Sequence, residues 1–278
     1  MSKVSNQKFP LVTVAIATYN SRRTIEKCLQ SIKSQTYPNI EIVVVDGLRY
    51  DPEEQKKCQK IIEKYARYYQ DGPERSIQRN RGIKEAKGEF VYVIDQDMYL
   101  TPDVVKECVE MMMTQQFSAL IIPEISIGEG FWTKVVALER YVTTYLELGP
   151  NEYCRFFRKK DGLAVGGYDP SIVGAEDADF QSKMAGIGKV GKTKNHIWHD
   201  EGRTEFWDRV KKKYYYSRSF RKYLQKRPAA ASSQFFPIKP AYFKHWQEFA
   251  KQPLVGIGVV VLRTCEVAAG ALGLLFNT

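Results

Sequence analysis

Three short apolar runs in the first hundred residues end in polar corners, and this repeat narrows the fold more than any other feature. Leu11 to Ala17, Ile40 to Val45 and Phe90 to Ile94 are rich in β-branched or aromatic residues and read as buried strands. They stop at Thr18-Tyr19-Asn20, Asp46-Gly47 and Asp95-Gln96-Asp97. Between them the apolar spacing turns helical. Ile25, Leu29 and Ile32 recur until Tyr37-Pro38, Ile61, Ile62, Tyr65 and Tyr69 share one side of a polar helix, and Ile77 to Ala86 leads to Gly88. Pro102 opens a helix bearing Val105, Val109 and Met112, followed by a strand from Ala119 to Ile122. This alternation predicts an α/β domain, a mainly parallel sheet sandwiched by helices. Ligands in such sheets bind beyond the carboxyl ends of the strands, where the three polar corners fall.

Charge is informative by its place. The net charge is +10, and the stretch from Arg203 to Arg227 alone carries ten basic residues against Glu205 and Asp208. A local block points to one anionic surface, whereas a nucleic-acid binder would spread its basic residues over several faces and leave the acidic corners unexplained. Phe206, Val210, Tyr214, Phe220 and Leu224 run through the block in a loosely amphipathic pattern, with Tyr214-Tyr215-Tyr216 suited to a membrane interface. Beyond Pro237 and Pro240, Leu254 to Phe276 is long enough to span a bilayer, but Arg263 and Glu266 interrupt it. An Arg263/Glu266 pair on one helix face would lessen the cost. The favoured expectation is a helix lying in or dipping into the membrane; a full span and a buried helix are the alternatives.

Five cysteines, odd in number and without a CxxC, argue for a reducing compartment rather than a disulfide framework or zinc site. Met1 to Pro10 lacks the apolar core of a signal peptide. The expected location is cytoplasmic, peripherally or monotopically associated with the cell membrane.

Asp95 and Asp97 sit two apart after a buried strand, and in extended backbone such residues project to the same side. Paired carboxylates offer hard oxygens to Mn2+ or Mg2+, ions that complete their shell with phosphates and water. A departing nucleoside diphosphate accumulates charge that such a cation neutralises.

Taken in order, Thr18-Tyr19-Asn20, Val45-Asp46-Gly47, Arg79-Asn80-Arg81-Gly82, Ala86-Lys87-Gly88-Glu89 and Asp95-Gln96-Asp97 resemble the successive motifs of family 2 glycosyltransferases with the GT-A fold. Gly166-Gly167-Tyr168-Asp169 and Glu176-Asp177 resemble that family's acceptor-side motifs. The resemblance covers residues 9–200, with a nucleotide-sugar-binding half over 9–125 and an acceptor half over 126–200; residues 201–278 would form a basic amphipathic and apolar helical appendage. It implies an inverting transfer from a UDP- or GDP-sugar to a hydroxyl of a lipid-linked glycan or surface polysaccharide. Thr18 and Tyr19 would line the base pocket, Asp46 would accept from a base N–H, and Arg75, Arg79 and Asp95 would hold the rest of the donor. Asp95 and Asp97 would bind the metal with His199, which follows His196 by three residues. Asp177 would be the general base, with Glu176 and Asp179 as alternatives. Glu124, Trp132, Gly166, Gly167 and Glu176 would face the acceptor. After Asp46 the chain departs from the family pattern, with Gly47-Leu48-Arg49-Tyr50 in place of a run rich in Gly, Ser and Asp.

Two other enzymes compete. Direct transfer to a polyprenyl phosphate would need no base, because the nucleophile is already ionised. A nucleotidyltransferase would carry a glycine-rich phosphate loop after strand one, and Ala17-Thr18-Tyr19-Asn20 is not one.

Overall fold

The computed structural model describes residues 9–276 apart from 20, 48–50, 148–152, 173 and 227–238. Asn20, Leu48, Arg49, Tyr50, Arg227 and Pro237 lie outside the described residues, as do the side chains from 218 to 226 and that of Phe276.

The first half of the chain alternates β1 (Val12–Thr18), α1 (Ile25–Lys33), β2 (Ile40–Asp46), α2 (Pro52–Ile62), β3 (Arg67–Gln70), α3 (Arg75–Glu85) and β4 (Phe90–Asp95). Strands β1, β2, β3 and β4 pair in parallel, as expected. Thr18 lies beside Asp46 and Ala17 beside Asp95, so the polar corners end level on one rim. Side chains alternate between the two faces. Val14, Ile16, Tyr92 and Ile94 pack with Ile25, Leu29 and Ile32 of α1, while Ala15, Val91 and Val93 meet Ile83 of α3 on the other face. One helix is shorter than its spacing predicts: α2 stops at Ile62, Tyr65 follows it, and Tyr69 belongs to edge strand β3.

Next come β5 (Met98–Leu100), α4 (Val104–Thr114), β6 (Phe117–Ile121), β7 (Glu124–Glu129), α5 (Phe131–Arg140), β8 (Cys154–Arg158), α6 (Lys159–Ala164), α7 (Glu176–Ile187), β9 (Lys189–Lys192) and β10 (Ile197–Arg203). Strands β8, β6 and β9 extend the first four into one seven-stranded sheet of order β3-β2-β1-β4-β8-β6-β9, with β8 antiparallel to both neighbours. The proposed donor and acceptor halves thus share a sheet. A second, three-stranded sheet of order β5-β10-β7 sets His199 opposite Met98 and Ser126. This carries a late residue to the turn that holds Asp97.

The C-terminal region consists of α8 (Phe206–Lys226), α9 (Pro240–Lys244), α10 (Trp246–Ala250) and α11 (Pro253–Phe276). By length and composition α11 could cross a membrane. Its Arg263 and Glu266 do pair, at 2.8 Å, but they face inward. Glu139 of α5 meets Arg263 at 3.2 Å and Lys239 at 3.3 Å, and Arg209 of α8 meets Glu266 at 3.1 Å. Val255, Val259 and Leu262 pack with Val135, Val136 and Leu138 of α5. Gly258 permits this approach, since a Cβ there would come within 2.6 Å of Val135 Cγ2. The opposite stripe, Leu254, Ile257, Val261, Leu272 and Leu275, is exposed.

Candidate active site

At the rim of β1 and β4 lies a cleft of about 660 Å³ lined by Thr18, Tyr19, Arg75, Asp95, Asp97 and His199, among others. Gln96 ties its two walls. Its side-chain oxygen accepts from the Thr18 hydroxyl at 2.5 Å and the Tyr19 N–H at 2.7 Å, while its amide donates to the Tyr19 carbonyl at 2.8 Å. Gln96, between the two acids, thereby fixes the corner against the acidic turn. The Tyr19 residue is half exposed. Asp46, beside Thr18 on the same rim, is fully buried, accepts from the Tyr68 hydroxyl at 3.2 Å, and does not line the cleft.

β4 ends at Asp95 and the chain turns at Gln96, so the premise of extended backbone through Asp97 does not apply, and the two carboxylates diverge. Asp95 turns to Arg79, at 3.0 Å, and to Arg75, at 3.6 Å. Burial alone would raise its pKa, but Arg79, Arg75 and Arg155 hold it well below the usual carboxylate range. Arg79 has no solvent exposure; one nitrogen reaches Asp95 and another Asp177 at 2.6 Å, with Glu176 at 3.6 Å and the Tyr168 ring beneath. Arg79 therefore organises carboxylates from behind rather than touching a diphosphate. Arg75, whose side chain is 43% exposed, opens to the cleft, which Arg140 and Arg209 also line.

Asp97 turns toward His199. Its buried Oδ1 makes no hydrogen bond and lies 3.6 Å from His199 Nε2. His199 Nδ1 is 2.9 Å from Glu124 and 2.8 Å from Arg140 Nη1. Burial disfavours charge on this imidazole, but Asp97 and Glu124 outweigh it and raise its pKa to about 10. Glu124 is placed to orient the ring in the manner of a carboxylate behind a metal-bound histidine. Among the described residues no group of three or more His, Cys, Asp or Glu side chains could hold an ion. The unpartnered Asp97 oxygen and the facing Nε2 fit a divalent cation that takes its remaining ligands from substrate phosphate and water. Asp95 is engaged by arginines instead.

A second cavity of about 290 Å³ adjoins the cleft and shares with it Arg75, Asp95, Arg140, Glu176 and His199 together with Arg209, Lys212 and Tyr216. Asp177 opens on this chamber from the first turn of α7, so Asp95, Asp177 and His199 meet, while Tyr19 stands on the neighbouring cleft. Glu176 is nearly buried against Arg75 and Arg79. Asp179, the alternative base, pairs with Lys183 at 2.9 Å and lines neither cavity. Trp132 packs on Phe206 with centroids 4.7 Å apart, joining α5 to α8 away from both cavities. Gly166 and Gly167 line neither; they form a left-handed turn with φ of +81° and +65°. Asn80 clamps that turn through the Tyr168 N–H and carbonyl at 2.8 and 2.7 Å, which sets the Tyr168 ring beneath Arg79. His196 packs on Tyr145 and Trp198.

Sequence reasoning missed Arg140 and Arg155, whose signal is a cation inside an apolar run, as in Cys154-Arg155-Phe156-Phe157. Arg155 grips Glu124 at 2.7 and 2.9 Å. Of the basic block, which the sequence points toward one anionic surface, Arg209, Lys212 and Lys213 line the chamber.

Residues 13–165 match the model of glycosyl transferase family 2, more than half of the chain, and the chain belongs to that family. It is 31% identical over 121 residues to the glycosyltransferase GlyA of Streptococcus pneumoniae, covering 43% of this chain and 17% of that protein. It is 30% identical over 122 residues to the poly(ribitol-phosphate) beta-N-acetylglucosaminyltransferase TarS of Staphylococcus aureus, covering 40% and 20%. The chain thus spans a fifth or less of the length of either relative. Among solved structures, the mannosyltransferase PcManGT of Pyrobaculum calidifontis, in complex with GDP-Man and Mn2+, superposes with a TM-score of 0.62 at 19% identity, covering 98% of this chain and 89% of that one. TarS residues 1–349 with UDP-GlcNAc give 0.54 at 16%, covering 95% and 90%. These likenesses show the fold, the GT-A arrangement expected from the motifs.

Proposed function

We propose that the chain transfers a sugar from a UDP- or GDP-sugar to an acceptor hydroxyl, with inversion, at the cytoplasmic face of a membrane, and that the acceptor is a lipid-linked glycan or surface polysaccharide. The observation that carries this reading is the arrangement around Arg79: one buried guanidinium joins Asp95, at the donor rim, to Asp177, in the adjoining chamber. The nucleotides bound to PcManGT and TarS support the donor class.

Tyr19 offers its ring to the base and Arg75 its guanidinium to the diphosphate. Asp177 takes the proton of the acceptor hydroxyl as its oxygen bonds to the anomeric carbon. The bond from that carbon to the diphosphate breaks, and its electron pair leaves with the diphosphate. Attack opposite the leaving group inverts the centre. Asp97 and His199 would hold Mn2+ or Mg2+, which neutralises charge on the departing diphosphate. The exposed apolar stripe of α11, Leu254 to Leu275, supports docking parallel to a membrane surface, since Arg263 and Glu266 are spent on contacts with α5 and α8. A panel of UDP- and GDP-sugars tests the proposal: one or more should be turned over with Mn2+ present. No turnover or binding of any nucleotide sugar would defeat it.

A further inference from the structure

We propose that the inner chamber is a subsite for a phosphate or diphosphate group carried by the acceptor, held by Arg155, Lys212 and Lys213. This deepens the transferase reading and rests on it.

Every carboxylate lining the chamber has a cationic partner within the protein. Glu124 is taken by Arg155, Glu139 by Arg263 and Lys239, and Asp95, Glu176 and Asp177 by Arg79. Cations are left over. Arg155 spends Nε and Nη2 on Glu124, and its Nη1 is buried without a hydrogen-bond partner although the side chain is only 5% exposed. Lys212 and Lys213 also line the chamber; both are exposed and make no ion pair among the described residues, and Lys212 lies 5.6 Å from the Tyr216 ring. A buried guanidinium N–H is costly to leave unmade, and unpaired cations gathered at one cavity repel one another. An anion brought by a ligand removes both penalties.

The donor's own diphosphate is a poor candidate for that anion. Arg155 and Lys213 line only the inner chamber and Asp97 only the donor cleft, while Arg75, His199 and Lys212 line both. The chamber contains Asp177, so a group held there belongs to the molecule whose hydroxyl Asp177 deprotonates. Three separate donors, one planar and two flexible ammonium groups, suit the several oxygens and multiple charge of a phosphate better than the two oxygens of a carboxylate. A volume near 290 Å³ admits such a group beside the end of a sugar. The wall includes Arg263 of α11, the helix whose far side is the exposed apolar stripe. The phosphate of a lipid-linked acceptor and that of a phosphate-bearing polymer share this chemistry.

Calorimetric titration of the full chain in metal-free buffer tests the subsite. Inorganic pyrophosphate should bind wild type and Asp97→Ala equally, and Lys213→Ala should weaken it about tenfold. Because Arg155 also supports Glu124, Arg155→Lys serves only as a second variant, accepted when its circular dichroism and melting match wild type; it should weaken binding in the same sense. Farnesyl diphosphate distinguishes the sources: affinity tenfold above pyrophosphate indicates a lipid-linked acceptor, and equal affinity a phosphate on a polymer or soluble glycan. Absence of binding at millimolar pyrophosphate, or binding untouched by both substitutions, would overturn the subsite. Mn2+-dependent nucleotide binding, measured separately on wild type, reports on the transferase reading alone.

Discussion

Arg79 lies behind the site rather than on its surface, and this changes how neighbouring acids are read. A fully buried guanidinium surrounded by Asp95, Asp177 and Glu176 fixes where those carboxylates point, and its own position is set by the Tyr168 ring and the Asn80 clamp. Asp177 is thereby held at the chamber with its second oxygen free of the Arg79 contact. If it is the base, Asp177→Asn keeps the hydrogen-bonding shape but cannot take a proton. Nucleotide affinity should stay within about twofold while kcat falls by roughly 10²–10⁴. Stopped-flow or steady-state assays on the preferred donor measure this, and near-normal kcat would remove Asp177 from the role. Part of this was legible: of the residues singled out, Asp97 lines the cleft, Asp177 the chamber, and Asp95 and His199 both. What was not legible is which way each faces. Asp95 and Asp97 look equivalent in a two-residue spacing, and only the turn at Gln96 separates an arginine-bound carboxylate from an open one.

Among the elements, α5 links the site to the C-terminal helix. Its last turn presents Arg140 to His199 and Glu139 to Arg263, Lys239 and Tyr242. Burial works against the Glu139 carboxylate, yet Arg263, then Lys239 and the Tyr242 hydroxyl, lower its pKa to about 2. A lowered carboxylate stabilises the fold above its unfolded pKa, near 4.5, and that contribution disappears as pH falls toward 2. The shift corresponds to about 3 kcal/mol. Acid unfolding followed by tryptophan fluorescence should therefore lose stability steeply between pH 4.5 and 2 in wild type and less steeply in Glu139→Gln; identical slopes would contradict the pairing. Strands β1, β2 and β4 and helix α1 were readable because apolar period and polar corner agree. Tyr65 and Tyr69 were not, because a four-residue spacing looks helical even where the chain has entered an edge strand. Strand β10 carries few apolar residues, so its pairing with β5 and β7 was hidden.

For the molecule as a whole, the apolar stripe of α11 is exposed, as are Phe243 and Trp246 of the preceding helices, while the ionic side of α11 is buried. Replacing Ile257 and Val261 together with Glu should abolish sedimentation with anionic lipid vesicles and leave nucleotide affinity unchanged; retained sedimentation would refute docking by this stripe. The sequence showed the length of the helix and its charged pair, but only packing against α5 and α8 reveals which side is spent. The metal site rests on Asp97 and His199 facing one another at the cleft. Calorimetry of UDP and GDP with and without Mn2+ tests that most directly. Wild type should bind one nucleotide at least tenfold more tightly with Mn2+, and Asp97→Ala and His199→Ala should each lose that gain. Equal Mn2+ enhancement in all three proteins would contradict the assignment.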